Sequence, residues 1–351
     1  MLIHSKDRIT ILQPDDWHVH LRDGALLKAV LPSTTRVFRR AIVMPNLSPP
    51  ITTIEAADIY RNQIESLIPD GVSFTPLITL YLTDNISPDL LKKGFLGGVF
   101  FAAKLYPSNA TTNSSLGVKN IKGIYSLFEV MESIGMPLLI HGEVTDPNID
   151  IFDREAIFIE RELIPLISKF PKLRVVLEHI TTQDSVDFVE NCSKNVAATI
   201  TPHHLHINRN AMFEKGFRSD FYCLPVAKRE IHRLALRKAA TSGKRCFFLG
   251  TDSAPHVRRF KETACGCAGI FNAPVALESY AEVFEEEGAI ERLEAFTSVF
   301  GPQFYRLPKN ENFITLEKKP NKVPNFLEVR NPDSSIENII PFHSGQTLKW
   351  S

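Results

Sequence analysis

The chain has 351 residues, of which 44% are hydrophobic and 23% charged, as in an ordinary globular protein with a large core. Its 40 basic residues match its 40 acidic ones, so the composition gives no sign of binding to nucleic acid or to an anionic membrane. A charged N-terminus, the lack of an apolar stretch long enough to span a membrane, and five scattered cysteines predict a cytoplasmic protein without disulfides.

Eight short apolar runs end in polar or charged residues, and we predict a β-strand for each. Near-continuous apolar runs are typical of parallel strands that are covered on both faces. The first run ends in residues 16–22, and the others are 41–46, 74–82, 98–104, 137–141, 173–179, 196–201 and 246–252.

The segments between these runs have helical patterns. Residues 53–67 have apolar side chains at helical spacing after a threonine cap, residues 118–134 and 154–170 follow, and residues 181–184 open another helix with a capping-box pattern. Repeated strand–helix alternation predicts an α/β fold, a (β/α)₈ TIM barrel. The alternative is a doubly wound open sheet, but no G-x-G-x-x-G follows the first strand.

We predict a single domain over residues 1–351, with the barrel at about 9–260 and a C-terminal helical extension at about 272–351. The chain contains no short repeat, low-complexity segment or obvious linker. Residues 203–245 are numerous enough for an insertion plus a helix, and residues 308–351 have the composition of a polar, proline-containing tail.

Side chains that can bind metals fall at the ends of the predicted strands. They are His18 and His20 on the first strand, Lys104 on the fourth, His141 on the fifth, His179 on the sixth and Asp252 on the eighth. In a parallel barrel these ends meet at the face where active sites lie, and imidazoles with a carboxylate suit Zn²⁺. An isolated histidine is more often a hydrogen-bonded core residue, and we interpret the second His-x-His, His204 to His206, as a packed or solvated loop cluster.

Spacing and chemistry suggest a role for each residue. His18 and His20 point to the same side of a strand, and Arg22 continues that parity, where a guanidinium can bind a substrate carboxylate. Lys104 is either a surface lysine or, by our hypothesis, a carbamate formed with CO₂ that bridges two metal ions. Asp252 is either a turn residue or a general base, and then a general acid, beside a metal-activated water.

Several longer motifs occur in a fixed order along the chain. They are QPDDWHVHLRDG at 13–24, MPN at 44–46, AKLYP at 103–107, HGE at 141–143, EH at 178–179, TPHH at 201–204, GTDSAPH at 250–256 and CGCAG at 265–269. Together they resemble the compact, stand-alone bacterial dihydroorotases of the amidohydrolase superfamily. The resemblance runs from about residue 9 to about residue 300.

The resemblance implies a zinc-dependent hydrolase that reversibly cyclises N-carbamoyl-L-aspartate to L-dihydroorotate plus water in pyrimidine biosynthesis. It implies a binuclear zinc centre with a bridging hydroxide, and Asp252 as the general base and acid. One ion would be held by His18, His20, Lys104 and Asp252, and the other by Lys104, His141 and His179, with Lys104 as a bridging N6-carboxylysine. Family relatives are commonly homodimers, and we expect the same assembly here.

The resemblance also implies the substrate contacts. Arg22, Asn46 and His256 would bind the free carboxylate, and the backbone of Leu224 and Ala268 would contact the ring amide. Residues 106–115 resemble a mobile lid whose Thr111 and Thr112 reach the substrate, although the composition alone would suit an ordinary flexible loop.

Two other functions remain open from the sequence. A sister cyclic amidohydrolase, such as a hydantoinase or an allantoinase, shares the metal ligands. A neutral substrate such as hydantoin, however, would leave Arg22 without an anion to bind. A non-catalytic scaffold relative could lose ligands without penalty, whereas all six positions are filled here. Cys265 and Cys267 lack a second thiol pair that would complete a metal site, and we interpret them as loop thiols.

Overall fold

The computed structural model describes residues 7–351. A first strand, β1, spans Arg8–Leu12, and eight parallel strands then form one sheet in chain order. These strands are β2 Asp16–Val19, β3 Arg40–Val43, β4 Thr75–Tyr81, β5 Ala102–Leu105, β6 Leu138–Ile140, β7 Val175–Leu177, β8 Val196–Ile200 and β9 Phe247–Leu249.

The sheet closes through the segment that follows β9. Ser253 forms a parallel bridge with Val19, and the backbone N–H of Asp252 donates to the carbonyl of His18 at 2.9 Å. Eight parallel strands in sequential order, closed first to last, confirm the predicted (β/α)₈ barrel.

The helices connect the strands and cover the barrel. They are α1 Gly24–Thr35, α2 Ile54–Glu65, α3 Pro88–Leu96, α4 Tyr125–Ile134, α5 Arg154–Phe158, α6 Ile164–Lys169, α7 Gln183–Asn191, α8 Pro202–His206, α9 Glu230–Ala240, α10 Arg258–Lys261, α11 Ala276–Glu286 and α12 Phe300–Tyr305. None of these helices in residues 7–351 is both long enough and apolar enough to span a membrane.

Threonine caps begin two helices close to the predicted positions, although the cap of α7 is Thr182 and not Thr181, the first residue of the predicted capping box. Thr53 Oγ1 accepts from the N–H of Ala56 at the start of α2, and Thr182 Oγ1 accepts from the N–H of Ser185 at the start of α7. The predicted helix over 154–170 is interrupted by a π-helical turn, Ile159–Leu163, which separates α5 from α6. Pro165 lies at the start of α6, where its missing N–H is tolerated.

The C-terminal extension contains the predicted helices α11 and α12, but residues 308–351 are not an irregular tail. They form β10 Phe313–Glu317, β11 Asn321–Lys322, β12 Leu327–Arg330, β13 Ile336–Ile339 and β14 Thr347–Leu348. β10 pairs antiparallel with β1, which comes from the other end of the chain. Such a pairing joins segments about 300 residues apart, which local patterns do not reveal.

The barrel interior below the mouth is filled by apolar side chains. This floor layer comprises Trp17, Ile42, Ala102, Leu139, Val176, Ala197 and Phe248, and Phe300 and Tyr305 of α12 close it. Trp17 stacks on Tyr305 with ring centroids 4.6 Å apart. Gly301 permits this closure, because a Cβ there would lie 1.8 Å from the indole nitrogen of Trp17.

Candidate metal centre and substrate site

Two histidines at the end of β2 and an aspartate after β9 are in direct contact at the mouth of the barrel. Nε2 of His18 lies 3.2 Å from Nε2 of His20, and each of these nitrogens lies 3.1 Å from Oδ1 of Asp252. All three side chains are buried. Two imidazole nitrogens and a carboxylate oxygen at these separations form a donor set that suits Zn²⁺.

Strand parity brings further polar side chains to the same level. Two positions after a floor-layer residue, and therefore on the same face of the strand, come Lys104, His141 and Glu178. All three are buried. On these three strands the level immediately above the apolar floor thus contains side chains that can ionise or bind a metal.

His179 reaches the site by a different route. It directly follows Glu178, so simple alternation would point it away from the barrel axis. Its backbone is left-handed, with φ of 45°, and its ring centroid lies 5.0 Å from that of His18 and 4.9 Å from that of His141. Asp252, with φ of 44°, and Arg22, with φ of 59°, share this uncommon conformation.

Lys104 and His18 both contact Glu178, which the sequence analysis did not identify as a site residue. The side-chain nitrogen of Lys104 donates to Oε2 of Glu178, while Oε1 of Glu178 lies 3.1 Å from Nδ1 of His18. Burial lowers the pKa of Lys104 well below its ordinary value. The spacing of two residues from Val176 to Glu178, which places both on one face, could have identified Glu178. The adjacent His179 was instead predicted as the site residue at this strand end.

Glu143 is a second site residue that the sequence analysis missed. Its Oε2 lies 2.9 Å from Nε2 of His141, and both side chains are buried. A carboxylate on one imidazole nitrogen fixes the ring orientation and leaves the other nitrogen available to a metal ion. The spacing of two residues between His141 and Glu143 in the HGE motif was the signal that could have identified Glu143.

Asp16 holds the two strands that supply the metal-binding group. Its carboxylate accepts from the N–H and the hydroxyl of Thr251, at 2.9 and 2.6 Å, and from the N–H of His18 at 3.1 Å. Burial raises the pKa of Asp16 to about 6. This network fixes β2 against the segment that carries Asp252.

The protonation states at the centre suit metal binding. Burial lowers the pKa of His20 to about 3 and also lowers the pKa values of His18 and His179. Burial acts to raise the pKa of Asp252, but His18, together with hydrogen bonds from His18 and His20, holds it well below its ordinary value. Neutral imidazoles beside an ionised carboxylate are the forms that coordinate metal ions.

These groups open onto a small cavity at the barrel mouth. Its lining contains every predicted site residue except Lys104 and His256, together with Tyr106, Ala254 and Gly269. Lys104 is fully buried, and His256 borders the cavity through Arg22, whose Nη2 is 2.9 Å from His256 Nε2. The structure therefore gathers the other predicted residues around one space, which Lys104 adjoins through Glu178 and His18, and His256 through Arg22.

The predicted lid loop is closed over this cavity. Asn46 Nδ2 donates to the carbonyl of Thr112 at 3.0 Å, and Asn113 Nδ2 donates back to the carbonyl of Asn46 at 3.0 Å. The hydroxyl of Thr112 donates to the carbonyl of Ala268 at 3.2 Å. Thr111 also lines the cavity.

The second His-x-His lies apart from this centre. Nε2 of His206 is 3.0 Å from the carbonyl of Ser279. His204 groups with His203 and Cys223, whose possible ligand atoms lie within 4.8 Å of one another. Both nitrogens of His204 already have hydrogen-bond partners, the Thr201 hydroxyl at 2.8 Å and the Pro225 carbonyl at 3.1 Å, which favours a packing role.

Sequence comparison relates the chain to known proteins over nearly its whole length. The family model described as "Amidohydrolase family" matches residues 14–325. A dihydroorotase from Synechococcus sp. (strain RCC307) is 62% identical over 344 residues, which cover 98% of this chain and 97% of the relative.

Solved structures with the same fold include two dihydroorotases. The Saccharomyces cerevisiae enzyme, in complex with 5-fluoroorotic acid, has a TM-score of 0.89 and 34% identity, with 98% of each chain covered. The Campylobacter jejuni enzyme has a TM-score of 0.89 and 34% identity, with 99% of this chain and 98% of that chain covered.

Proposed function

The chain belongs to the amidohydrolase family and, within it, to the dihydroorotases, and we propose that it interconverts N-carbamoyl-L-aspartate and L-dihydroorotate in pyrimidine biosynthesis. The observation that carries the proposal is a cationic corner at the metal-binding group. Arg22 lines the same cavity as His18, His20 and Asp252, and it contacts His256. Both partners of the reaction carry a carboxylate that this corner can bind.

The residues present fit a pair of zinc ions. His18, His20, Lys104 and Asp252 would hold one ion, and Lys104, His141 and His179 would hold the other. Nδ1 of His179 is buried and lacks a hydrogen-bond partner among residues 7–351, as expected of an imidazole beside a ligand site. When bound, the ions supply Lewis acidity, which polarises the substrate carbonyl and activates water near neutral pH.

Lys104 would join the two positions as an N6-carboxylysine. Its neutral amine attacks the carbon of CO₂ and loses one proton, which gives a carbamate anion with two oxygens. The Glu178 carboxylate accepts a hydrogen bond from Lys104 and is placed to take that proton. A native mass spectrum or a crystal structure of the active, metal-loaded protein should show the added carboxyl group, and an unmodified Lys104 in that sample would contradict the assignment.

Asp252 is the residue that would move the proton. In hydrolysis of dihydroorotate it would accept a proton from the attacking water and deliver it to the leaving amide nitrogen; cyclisation runs the same steps in reverse. Its carboxylate lines the cavity and remains ionised next to His18 and His20. The closed lid, with Thr111 and Thr112, would exclude bulk water during this transfer.

A substrate comparison on the purified protein tests the proposal. Dihydroorotate, hydantoin and allantoin should be assayed side by side, with metal content measured on the same sample. We expect turnover of dihydroorotate, far slower turnover of the two rings that lack a carboxylate, and two zinc ions per chain. A preference for hydantoin or allantoin would assign the chain to a sister activity, and no turnover of any substrate would favour a scaffold.

Assembly and compartment are further parts of the proposal. We expect a homodimer, which light scattering on the purified chain would detect. All five cysteines are unpaired, which supports a reducing compartment such as the cytoplasm.

A further inference from the structure

Lys261 is a buried cation that lies outside the metal-binding group. It is the last residue of α10 and only 7% exposed. Its ammonium donates three hydrogen bonds, to the carbonyls of Tyr222 at 3.1 Å, Cys267 at 3.1 Å and Gly269 at 2.6 Å. An ammonium has three donors, so these carbonyls satisfy it completely.

The three carbonyls belong to two segments that border the substrate cavity. Leu224 follows Tyr222 by two residues, and Ala268 lies between Cys267 and Gly269; Leu224, Ala268 and Gly269 all line the cavity. Both segments are irregular, without a strand ladder or a helix to fix them. Besides the ammonium, one backbone bond joins them, from the N–H of Gly269 to the carbonyl of Tyr222 at 3.0 Å.

Burying this charge is costly, which argues that its geometry matters. Removal from water lowers the pKa of Lys261 to about 8, so the group remains an ammonium at neutral pH. An apolar side chain of similar length would avoid the desolvation cost but could not hold three carbonyls at one point.

We propose that Lys261 is a positioning residue for the substrate: its ammonium clamps the Tyr222 and Cys267–Gly269 segments so that the backbone of Leu224 and Ala268 faces the ring amide. This inference rests on the proposed function for the identity of the ligand. Ala268 is the centre of the arrangement, because its carbonyl also contacts the lid hydroxyl of Thr112 and Nε2 of His256. The clamp therefore sets one wall of the site and the surface on which the lid closes.

The test compares Lys261→Met with Arg174→Met in the full-length, metal-loaded protein. Arg174 is a matched control, since it is also buried and donates to two backbone carbonyls, those of Phe304 and Gly135, but just before β7 at the opposite face of the barrel. We expect Lys261→Met to raise the KM for dihydroorotate about tenfold with a smaller change in kcat, because displaced backbone contacts weaken binding. Arg174→Met should lower stability and leave KM unchanged.

Hydrogen exchange provides a readout that does not depend on activity. Lys261→Met should speed amide exchange in peptides covering 220–226 and 265–270, and Arg174→Met should not. Lys261→Gln, which keeps two donors, should give intermediate values and serves if the methionine variant does not fold. An unchanged KM with unchanged exchange in these peptides would overturn the clamp. A wild-type chain that binds neither dihydroorotate nor 5-fluoroorotic acid would instead count against the proposed function.

Discussion

Two layers of side chains inside the barrel come from the same strands, two residues apart. The floor layer contains Ala102, Leu139 and Val176, and it is entirely apolar. The mouth layer contains their same-face neighbours Lys104, His141 and Glu178, which are just as deeply buried. Burial of a large aliphatic side chain in the floor stabilises the fold by roughly 1.5–3 kcal/mol, whereas each buried charge in the mouth costs several kcal/mol before it is paired.

This difference shows that the depth at which a side chain is buried does not by itself distinguish structural from functional residues. The floor is explained by its own packing, with Trp17 stacked on Tyr305. The mouth is explained only by a ligand, because left-handed residues such as His179 and Asp252 and closely spaced ionisable groups raise the free energy of the folded state. Stability should therefore depend on the floor, and turnover on the mouth.

Metal removal should have the largest effect on the mouth and little effect on the floor. We expect chelation to abolish turnover, because the histidine–aspartate group without ions cannot activate water, and added Zn²⁺ to restore it. The stripped protein should keep its circular dichroism spectrum, and its melting temperature should rise when Zn²⁺ is returned. Full activity at trace metal content would remove the metal centre from the mechanism.

Asp252→Asn should be the most damaging substitution that preserves the shape of the mouth. Loss of the proton acceptor should lower kcat by roughly 10²–10⁴-fold. Zinc measured by elemental analysis should stay close to the wild-type content, since five other ligands hold the centre. Near-normal turnover with the metal bound would exclude Asp252 as the general base and acid.

Arg22→Met should affect binding more than chemistry. Arg22 is the buried cation beside His256, and a lost charged hydrogen bond of about 2–3 kcal/mol corresponds to an increase of roughly 100-fold in the KM for dihydroorotate. Neutral hydantoin provides the internal control, because any trace turnover of it should not depend on this residue. An unchanged KM would mean that another residue holds the substrate carboxylate.

The sequence was sufficient to predict the features that follow local rules. Apolar runs with polar ends predicted all eight barrel strands, and the position of His18, His141 and Asp252 at strand ends predicted that they would meet at one face of the barrel. Thr53 could be recognised as a helix cap from residue type and position, and the start of α7 was predicted to within one residue of its cap, Thr182.

The features that the sequence did not reveal depend on contacts between distant segments. Lys261 contacts a carbonyl 39 residues away, and β10 pairs with β1 across almost the whole chain. The route of His179 into the site requires a left-handed φ, an uncommon conformation that no local sequence pattern predicted at that position. Glu178 was missed for a different reason: parity from Val176 would have identified it, but the metal-binding residue beside it is the more obvious candidate.

Leu139→Ala in the floor should have the smallest effect on activity and a large effect on stability. Leu139 is fully buried on β6, and His141 directly follows the same strand, so the two residues represent the floor and the mouth layers. Truncation leaves a cavity and should lower the free energy of unfolding by about 2–5 kcal/mol, measured by urea denaturation of the metal-loaded protein. kcat and KM per folded enzyme should stay close to wild type, because the mouth ligands keep their own hydrogen bonds.

His141→Ala is the matched control and should show the reverse, with lost zinc and lost turnover but a folded chain. A large loss of turnover in Leu139→Ala at full zinc content would show that the floor positions the metal ligands, and the division between the two layers would then be wrong.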